Sequence, residues 1–246
     1  MTLYSPRVDK SRIPRLSKHQ ESRDISNKGS GVPTEGPSAA YIRESRIHGN
    51  ETGVSVGPCG VVSIENTNVD MNRERGIGSA SYIYILSSTV DRNGLGIQLG
   101  YGAAAVLQSS DVSSNGPGER IGAGGSSIHL ADSKLTNNGV AGIWGESTFV
   151  TLYGRNAISG NTGDGIALGA GSGLADRAWN GMNLVNNNGG CGLHVIGSSF
   201  AIDGGGVLID QPGGCAIGCE TALAICDPAA VIDGEIGGCG SGCPSQ

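Results

Sequence analysis

Apolar and polar positions repeat along most of this chain with a period of about 22 residues. In residues 90–99 (VDRNGLGIQL), an apolar residue stands three positions before an Asn, and a Gly-containing turn then leads into an apolar-x-apolar segment. The steps between successive Asn residues are 22, 21, 22, 23, 23 and 27. The apolar/Asn pairs are Ile47/Asn50, Val69/Asn72, Val90/Asn93, Val112/Asn115, Leu135/Asn138, Ile158/Asn161 and Val185/Asn188. A repeat of this length predicts a solenoid in which each copy forms one coil.

The short apolar segments within each copy alternate with period two, which indicates strands and not helices. One copy contains Ile83-x-Ile85, then Val90, then Ile97-x-Leu99, and Gly accounts for 44 of the 246 residues. Helix interiors do not tolerate that much Gly. We therefore expect about three short strands per coil, stacked in parallel ~4.8 Å apart, with the apolar members of the pairs forming one inward ladder. A second column, two residues before each of these apolar residues, comprises Ser45, Thr67, Ser88, Ser110, Ser133, Asn156 and Asn183.

Both polar columns are expected where the chain bends, because Asn and Gly tolerate left-handed backbone angles and Asn can bond to its own turn. The pattern resembles the right-handed parallel β-helix repeat of the pectate-lyase-like (pectin lyase-like) superfamily, over roughly residues 39–220. The resemblance implies an all-β, single-stranded right-handed parallel β-helix of about eight coils. That superfamily includes polysaccharide lyases, glycoside hydrolases, uronate epimerases, phage tailspikes and non-catalytic surface proteins, so the fold alone does not assign a function.

The pattern divides the chain into three parts. Residues 1–38 are polar and carry four Pro, which predicts a disordered or loosely attached arm; the alternatives are a linker, an incorrectly assigned start or a basic attachment arm. Residues 39–212 form the predicted β-helix. A degenerate eighth copy places Val207 and Asp210 in register. Residues 213–246 are predicted to be a cysteine-rich C-terminal cap over the open end of the solenoid.

Charge restricts the partners of the protein. The formal net charge is −6, and after Arg177 the chain contains no Lys or Arg but six acidic residues. Nucleic acid is not an expected partner, because phosphate binding needs a basic face. No apolar run approaches the ~18 residues of a membrane-spanning helix. Polysaccharide is the partner that the resemblance implies.

The cysteines indicate an oxidising compartment. Cys191 and Cys215 each stand two residues before an expected inward residue, so they should lie on adjacent coils within reach of a disulfide. Zinc and free thiols are the alternatives, although the tail has no His and lacks paired CxxC motifs. Cys59 would remain free. An extracellular or cell-surface location is therefore expected, and the lack of a signal peptide is explained if this is a piece of a longer exported chain. The candidate disulfide cysteines are Cys191, Cys215, Cys219, Cys226, Cys239 and Cys243.

The first candidate site follows from the resemblance, which implies that polysaccharide lies in a groove outside one parallel sheet. The G-I-x-L strand after each Asn-Gly turn is the expected sheet, and Trp144 and His194 are the outward residues that could contact a sugar ring. They should lie two coils, ~10 Å, apart. Trp179, in the loop that lengthens one repeat to 27 residues, is a further binding candidate; a tolerated surface insertion is the alternative. The outward row comprises Ser55, Gly78, Gln98, Gly122, Trp144, Ala167, His194 and Gly218.

The second candidate site is the row that follows the apolar ladder. His48, Asp70 and Asp91 should lie one above another, flanked by Arg46 and Arg92. Two carboxylates so close should raise one pKa, which suits a general acid, or should bind Ca²⁺; His48 would act as the base. The alternative is a solvated polar face in which arginines neutralise the acids.

Two functional hypotheses follow. The first is an exported or cell-surface β-helix module, carbohydrate-associated or structural, without a clear catalytic constellation and without a cofactor. The second is a polysaccharide-acting enzyme, either a uronate lyase or epimerase or, less favoured, a glycoside hydrolase; a lyase would bring a requirement for Ca²⁺. The string at residues 161–165 (NTGDG) resembles the NTDG of polygalacturonases but carries an inserted Gly, so we interpret it as a turn.

Overall fold

Stacked parallel strands build the whole described molecule. The computed structural model describes residues 16–21, 24–116, 121–177, 182–197, 199–202, 207–220, 223–226 and 231–237, and these contain strands but no helix. Every strand pair is parallel and joins equivalent positions of neighbouring repeats. Eight coils of three strands each are followed by strands that continue the same pairing, so the predicted all-β parallel solenoid of about eight coils is confirmed.

One strand from each coil belongs to a ten-stranded sheet. Its strands are β1 (Leu16–Glu21), β4 (Ala39–Arg43), β7 (Val61–Glu65), β10 (Tyr82–Leu86), β13 (Ala104–Gln108), β16 (Ser127–Ala131), β19 (Phe149–Tyr153), β22 (Gly173–Arg177), β25 (Ser199–Ile202) and β27 (Leu223–Cys226).

The remaining strands form two further rows. The short second strands are β2 (Asp24–Ile25), β5 (Arg46–His48), β8 (Asn68–Asp70), β11 (Thr89–Asp91), β14 (Asp111–Ser113), β17 (Lys134–Thr136), β20 (Ala157–Ser159) and β23 (Asn183–Asn186). The third strands are β3 (Ser30–Thr34), β6 (Thr52–Val56), β9 (Arg75–Ser79), β12 (Leu95–Leu99), β15 (Ile121–Gly124), β18 (Ile143–Glu146), β21 (Ile166–Leu168) and β24 (Leu193–Ile196). Strand β26 (Val207–Glu220) continues both rows and pairs with β28 (Val231–Gly237).

The predicted apolar ladder lies inside the coils. Each of its seven members is at most 2 % exposed, from Ile47 at one end to Val185 at the other. Gly residues at the start of the third strands are required by this packing. A Cβ on Gly76 would approach Val90 Cγ1, Asn93 Nδ2 and the Gly96 carbonyl oxygen to 2.8 Å each. Ile, Val and Leu ladders with small residues at the close approaches therefore fill the interior.

The Asn column is an internal hydrogen-bonded ladder and not an outward turn feature. Asn72 Nδ2 donates to Asn93 Oδ1 at 2.9 Å and to the Ile47 carbonyl oxygen at 3.1 Å. The backbone N–H of Asn72 donates to the same Asn93 oxygen. This arrangement repeats between successive coils as far as Asn188, so each buried amide group has partners above and below it. Gln211 completes the series by accepting from the Asn188 N–H at 2.8 Å.

We expected left-handed backbone angles at the Asn residues themselves, but the structure places them one residue earlier. The left-handed residue at this corner is the one before each Asn, as at Met71 (φ 53°) and Arg92 (φ 53°). This placement turns the Asn side chain inward, where its bonds to the neighbouring coils stabilise the bend. The Ser and Thr column behaves in the same way: Ser88 Oγ accepts from the Thr67 N–H and follows left-handed Ser87.

The eighth copy also differs from the predicted register. Ile209, and not Val207, continues the apolar ladder, because Ile209 pairs with Val185. Asp210 pairs with Asn186, and Gln211 takes the position of the ladder amide. The longer Gln side chain preserves the hydrogen bonds that Asp could not donate.

The ends of the solenoid extend beyond the boundaries expected from the sequence. Strands β1, β2 and β3 pair in parallel with β4, β5 and β6, so the part of residues 1–38 from Leu16 onward contributes a coil and is not a loose arm. Residues 1–15 lie outside the described residues. Parallel pairing also continues through β28 into the region predicted to be a cap.

The expected Cys191–Cys215 disulfide is present. It joins adjacent coils with Cα atoms 4.5 Å apart, and Cys59 is free and exposed, as predicted. Cys219 is also disulfide-bonded. Of the other candidates, the side chain of Cys226 and all of Cys239 and Cys243 lie outside the described part of the structure.

Candidate functional site

The row containing His48, Asp70 and Asp91 is in register as predicted. His48 pairs with Asp70, and Asp70 pairs with Asp91, on three successive short strands. Asp70 is fully buried, however. Arg46 Nε and Nη2 donate to its two carboxylate oxygens at 2.9 and 2.8 Å, and Arg92 Nη2 donates to Oδ2 at 3.3 Å. Asp70 is therefore the centre of a compact ion-pair cluster.

The expected increase of a carboxyl pKa on this row is wrong for Asp70. The hydrogen bonds from Arg46 hold the pKa of Asp70 below its usual value, with further attraction from Arg46 and Arg92, although burial acts in the opposite direction. The attraction of two guanidinium groups for the Asp70 carboxylate exceeds its repulsion by the neighbouring Asp91 carboxylate. A general-acid role for Asp70 thus loses the property on which it was predicted, and catalysis by His48, Asp70, Asp91 and Arg92 stays a prediction.

The outer members of this row are also paired. His48 Nε2 lies 2.5 Å from Asp24 Oδ1, and Arg92 Nε donates to Asp91 Oδ2 at 2.7 Å. A Ca²⁺ ion on this row would need carboxylate oxygens that Arg46 and Arg92 already occupy, so these residues do not fit the ion. No cluster of three or more potential metal-binding side chains occurs among the described residues.

Trp144 and His194 occupy the outward row of the third strands, as expected. Trp144 pairs with Ala167, and Ala167 pairs with His194, which places the two candidates two coils apart. Both side chains are partly exposed. Trp179 lies outside the described residues, so its binding role stays a prediction.

The structure adds Asp164 to this region. Asp164 Oδ2 lies 3.3 Å from His194 Nδ1, and Asp164 Oδ1 accepts from the Cys191 N–H at 2.7 Å. Asp164 and His194 border a pocket of about 720 Å³ together with Gly189, Gly190, Gln211 and the cystine formed by Cys191 and Cys215. Asp164 lies in the string at residues 161–165, which we interpreted as a turn. Its alignment with Cys191, 27 residues later, could have placed it one coil from His194.

A third surface, on the ten-stranded sheet, was missed by the sequence analysis. Tyr or Phe side chains point outward from three of its strands and remain 36–49 % exposed. They alternate with buried residues, as in Tyr82-Ile83-Tyr84-Ile85, and this alternation was the available sequence signal. The members of this aromatic face are Tyr41, Tyr82, Tyr84, Phe149 and Tyr153.

The aromatic face has ordered rings and little charge. The Tyr82 and Tyr84 ring centroids lie 6.4 Å apart at an interplanar angle of 22°, and His129 stacks on Tyr153 at 6.3 Å. Burial lowers the pKa of His129, which favours its neutral form. Arg43 and Glu65 neutralise each other at 2.8 Å along one margin. Arg177 is exposed next to Tyr153, so the face offers apolar rings and hydroxyl groups with few charges.

Comparison with known families agrees with this architecture. Residues 17–129 match the family described as a right-handed beta helix region. This match covers less than half of the chain, and the strand pairing shows that the same parallel β-helix architecture continues beyond it. Comparison with curated proteins and with solved structures finds no match. No helix in the described part of this β-helix protein is long and apolar enough to cross a membrane.

The β-helix protein thus presents three distinct surfaces. The His48/Asp70/Asp91 row is in register, but both carboxylate oxygens of Asp70 are already bonded to arginine. The pocket beside His194 combines a carboxylate, an imidazole and a disulfide. The aromatic face occupies a different sheet from either of them, and Trp144 does not belong to it.

Proposed function

We propose that this protein is a non-catalytic, carbohydrate-binding β-helix module of an exported or cell-surface protein, and that it binds polysaccharide on the aromatic face. The observation that carries the proposal is the concentration of exposed rings. Five of the chain's ten Phe, Trp and Tyr residues lie on this one face. Exposed aromatic clusters of this kind are typical of binding surfaces, because a ring packs against apolar sugar faces while a Tyr hydroxyl bonds to sugar hydroxyl groups.

The spacing of the rings supports a ligand that runs along the solenoid axis. Tyr41 and Tyr84 are in one column, separated by Ser63, so they lie two coils or ~10 Å apart. Tyr82 and Phe149 are the first residues of their strands. They share a second column and lie three coils apart. An extended polysaccharide lying along this axis would meet successive rings without needing a deep groove.

Charge favours an uncharged polysaccharide over a polyuronide. The aromatic face carries the neutralised Arg43–Glu65 pair, and the whole chain has a formal net charge of −6. A polyanion would therefore be repelled over long range without a compensating basic patch on this face. A surface without a basic patch therefore favours the carbohydrate-binding module over a uronate lyase or epimerase.

The disulfides support the proposed exported or cell-surface location. Cys191–Cys215 and the bonded Cys219 require a compartment in which thiols oxidise. The structural alternative, a spacer that binds no sugar, shares this location and differs in what the aromatic face does.

Binding to immobilised neutral and acidic polysaccharides tests the proposal. The double variant Tyr82→Ser/Tyr84→Ser should bind the neutral polysaccharide about 30-fold more weakly, since it removes two ring contacts that each contribute on the order of 1 kcal/mol. Both residues are outward-facing, so the melting temperature should change little. Trp144→Ala, on the other sheet, is the matched control.

Three outcomes would reject the proposal or part of it. Weaker binding in Trp144→Ala with normal binding in the double variant would move the site to the G-I-x-L sheet. Binding of no polysaccharide by the wild type would favour the structural alternative. Release of unsaturated uronates from any polyuronide would favour the enzyme.

A further inference from the structure

The Cys191–Cys215 disulfide lies at the surface, in the wall of the pocket that also contains His194 and Asp164. Both cysteines are partly exposed, and both border the pocket of about 720 Å³. Buried disulfides are inert because no thiolate can reach them, whereas both of these cysteines are partly exposed beside the pocket. The proposed carbohydrate function makes no use of this arrangement.

Gly218 shows how closely the imidazole approaches the sulfur atoms. A Cβ placed on Gly218 would lie 2.8 Å from Cys191 Sγ, 3.2 Å from Cys215 Sγ and 3.5 Å from His194 Cδ2. Both sulfur atoms and the imidazole therefore border the same small space. Nε2, the ring nitrogen that Asp164 does not contact, is bonded to Cδ2 and so lies one bond from the ring atom that borders this space.

Asp164 acts on the opposite edge of the same ring. Its Oδ2 lies 3.3 Å from His194 Nδ1, and its Oδ1 is held by the Cys191 N–H at 2.7 Å. A carboxylate in this position fixes the ring orientation and favours the Nδ1–H tautomer. The order carboxylate, imidazole, sulfur is the arrangement that stabilises a thiolate.

We propose that Cys191–Cys215 is a thiol–disulfide exchange site, with His194 as its proton-transfer residue and Asp164 as the positioning residue. The expected substrate class is a dithiol, either a small molecule or an exposed cysteine pair of another protein. A thiol of the dithiol loses its proton to His194 Nε2 and attacks one cystine sulfur. A mixed disulfide forms, the Sγ–Sγ bond breaks, and the displaced thiolate takes the proton from the imidazolium.

The second half of the reaction completes the electron balance. The remaining thiol of the dithiol loses its proton and attacks the other dithiol sulfur, which is bonded to cysteine in the mixed disulfide. The cysteine is displaced, takes up a proton and is released as a thiol. The dithiol is oxidised by two electrons, and the cystine is reduced to two thiols. Backbone pairing of β26 with β24 and β28 does not depend on the cystine, so the reduced site can keep its place in the ladder.

The test is the rate at which dithiothreitol reduces this disulfide in the folded protein, followed by alkylation and mass spectrometry of the peptides that contain Cys191 and Cys215. His194→Gln should slow the reduction about tenfold, because the displaced thiolate loses its stabilising proton donor. Asp164→Asn should slow the reduction by a smaller factor.

His129→Gln provides the control, since it makes the same substitution on the ten-stranded sheet. A general loss of stability would expose the disulfide and speed its reduction, so slower reduction in His194→Gln cannot arise from unfolding. All variants should be reduced at one common rate in denaturant. Equal rates for the wild type and His194→Gln in the folded state, or an equal effect of His129→Gln, would overturn the proposal and leave the disulfide as a structural cross-link.

Discussion

Asp70 and Asp164 are both acidic residues beside the outer edges of coils, but their surroundings give them opposite chemical characters. Asp70 has no exposed surface and is held by Arg46 and Arg92. Asp164 keeps 23 % of its side-chain surface exposed, and it lies beside one imidazole at the border of a pocket. The number of cationic partners, and not the proximity of a second carboxylate, decides which acid remains available for chemistry. Asp70 should therefore contribute to stability and Asp164 to reactivity.

The largest expected effect comes from removing the main partner of Asp70. Arg46→Ala should lower the free energy of unfolding more than any of the changes considered below, because it leaves a buried carboxylate with only the longer contact to Arg92. Urea denaturation at neutral pH measures this value. Arg43→Ala, which breaks the exposed pair with Glu65, should cost less than about 1 kcal/mol. Equal losses for the two variants would mean that Asp70 is solvated.

A smaller effect is expected from replacing the carboxylate itself. Asp70→Asn should lower the free energy of unfolding by about 1–2 kcal/mol at neutral pH, because its two arginines remain free to be solvated. A solvated surface carboxylate at this position would instead leave the stability nearly unchanged.

The pH dependence of stability provides an independent check on Asp70. Its pKa is lowered in the folded protein, so the contribution is complete above the unfolded value of about 3.9 and is lost as the pH falls through the lower folded value. The difference between the wild type and Asp70→Asn should therefore shrink below about pH 4. A difference that persists unchanged in acid would show that it does not come from ionisation.

The smallest effect on stability is expected for Asp164→Asn. The amide oxygen can still accept from the Cys191 N–H, so the free energy of unfolding should change by less than about 1 kcal/mol. The same variant should slow exchange at the disulfide, as argued above. A large loss of stability without a change in exchange rate would make Asp164 equivalent to Asp70 and remove the contrast between them.

The repeat made the coil architecture predictable, because burial imposes the same demand on every copy. Val90 and its equivalents could be placed inside from spacing alone, and so could the pairing of Cys191 with Cys215. The backbone angles could not be assigned correctly, because an Asn at a corner has two uses. It can adopt the left-handed conformation or bond inward, and only the hydrogen bonds to neighbouring coils decide for the latter.

The candidate sites were less predictable because side-chain reach decides them. Register correctly placed Asp70 beside Asp91, but the two-pronged bond from Arg46 depends on how a long side chain folds over the next coil. Asp164 was overlooked because its partner, His194, is 30 residues away in the sequence. The aromatic face was not predicted because the family resemblance pointed to the G-I-x-L strands. The Tyr82/Tyr84 alternation on the other sheet was visible in the sequence.

The Asn ladder also determines how this fold tolerates insertion. Asn161 Nδ2 reaches Asn188 Oδ1 at 2.9 Å across a 27-residue step, and Asn72 reaches Asn93 at the same distance across 21 residues. The corner therefore fixes the vertical spacing independently of the length of chain between two corners. Segments of new sequence can enter between β22 and β23 while the coils above and below keep their alignment, so a peptide grafted there would be displayed from a rigid axis.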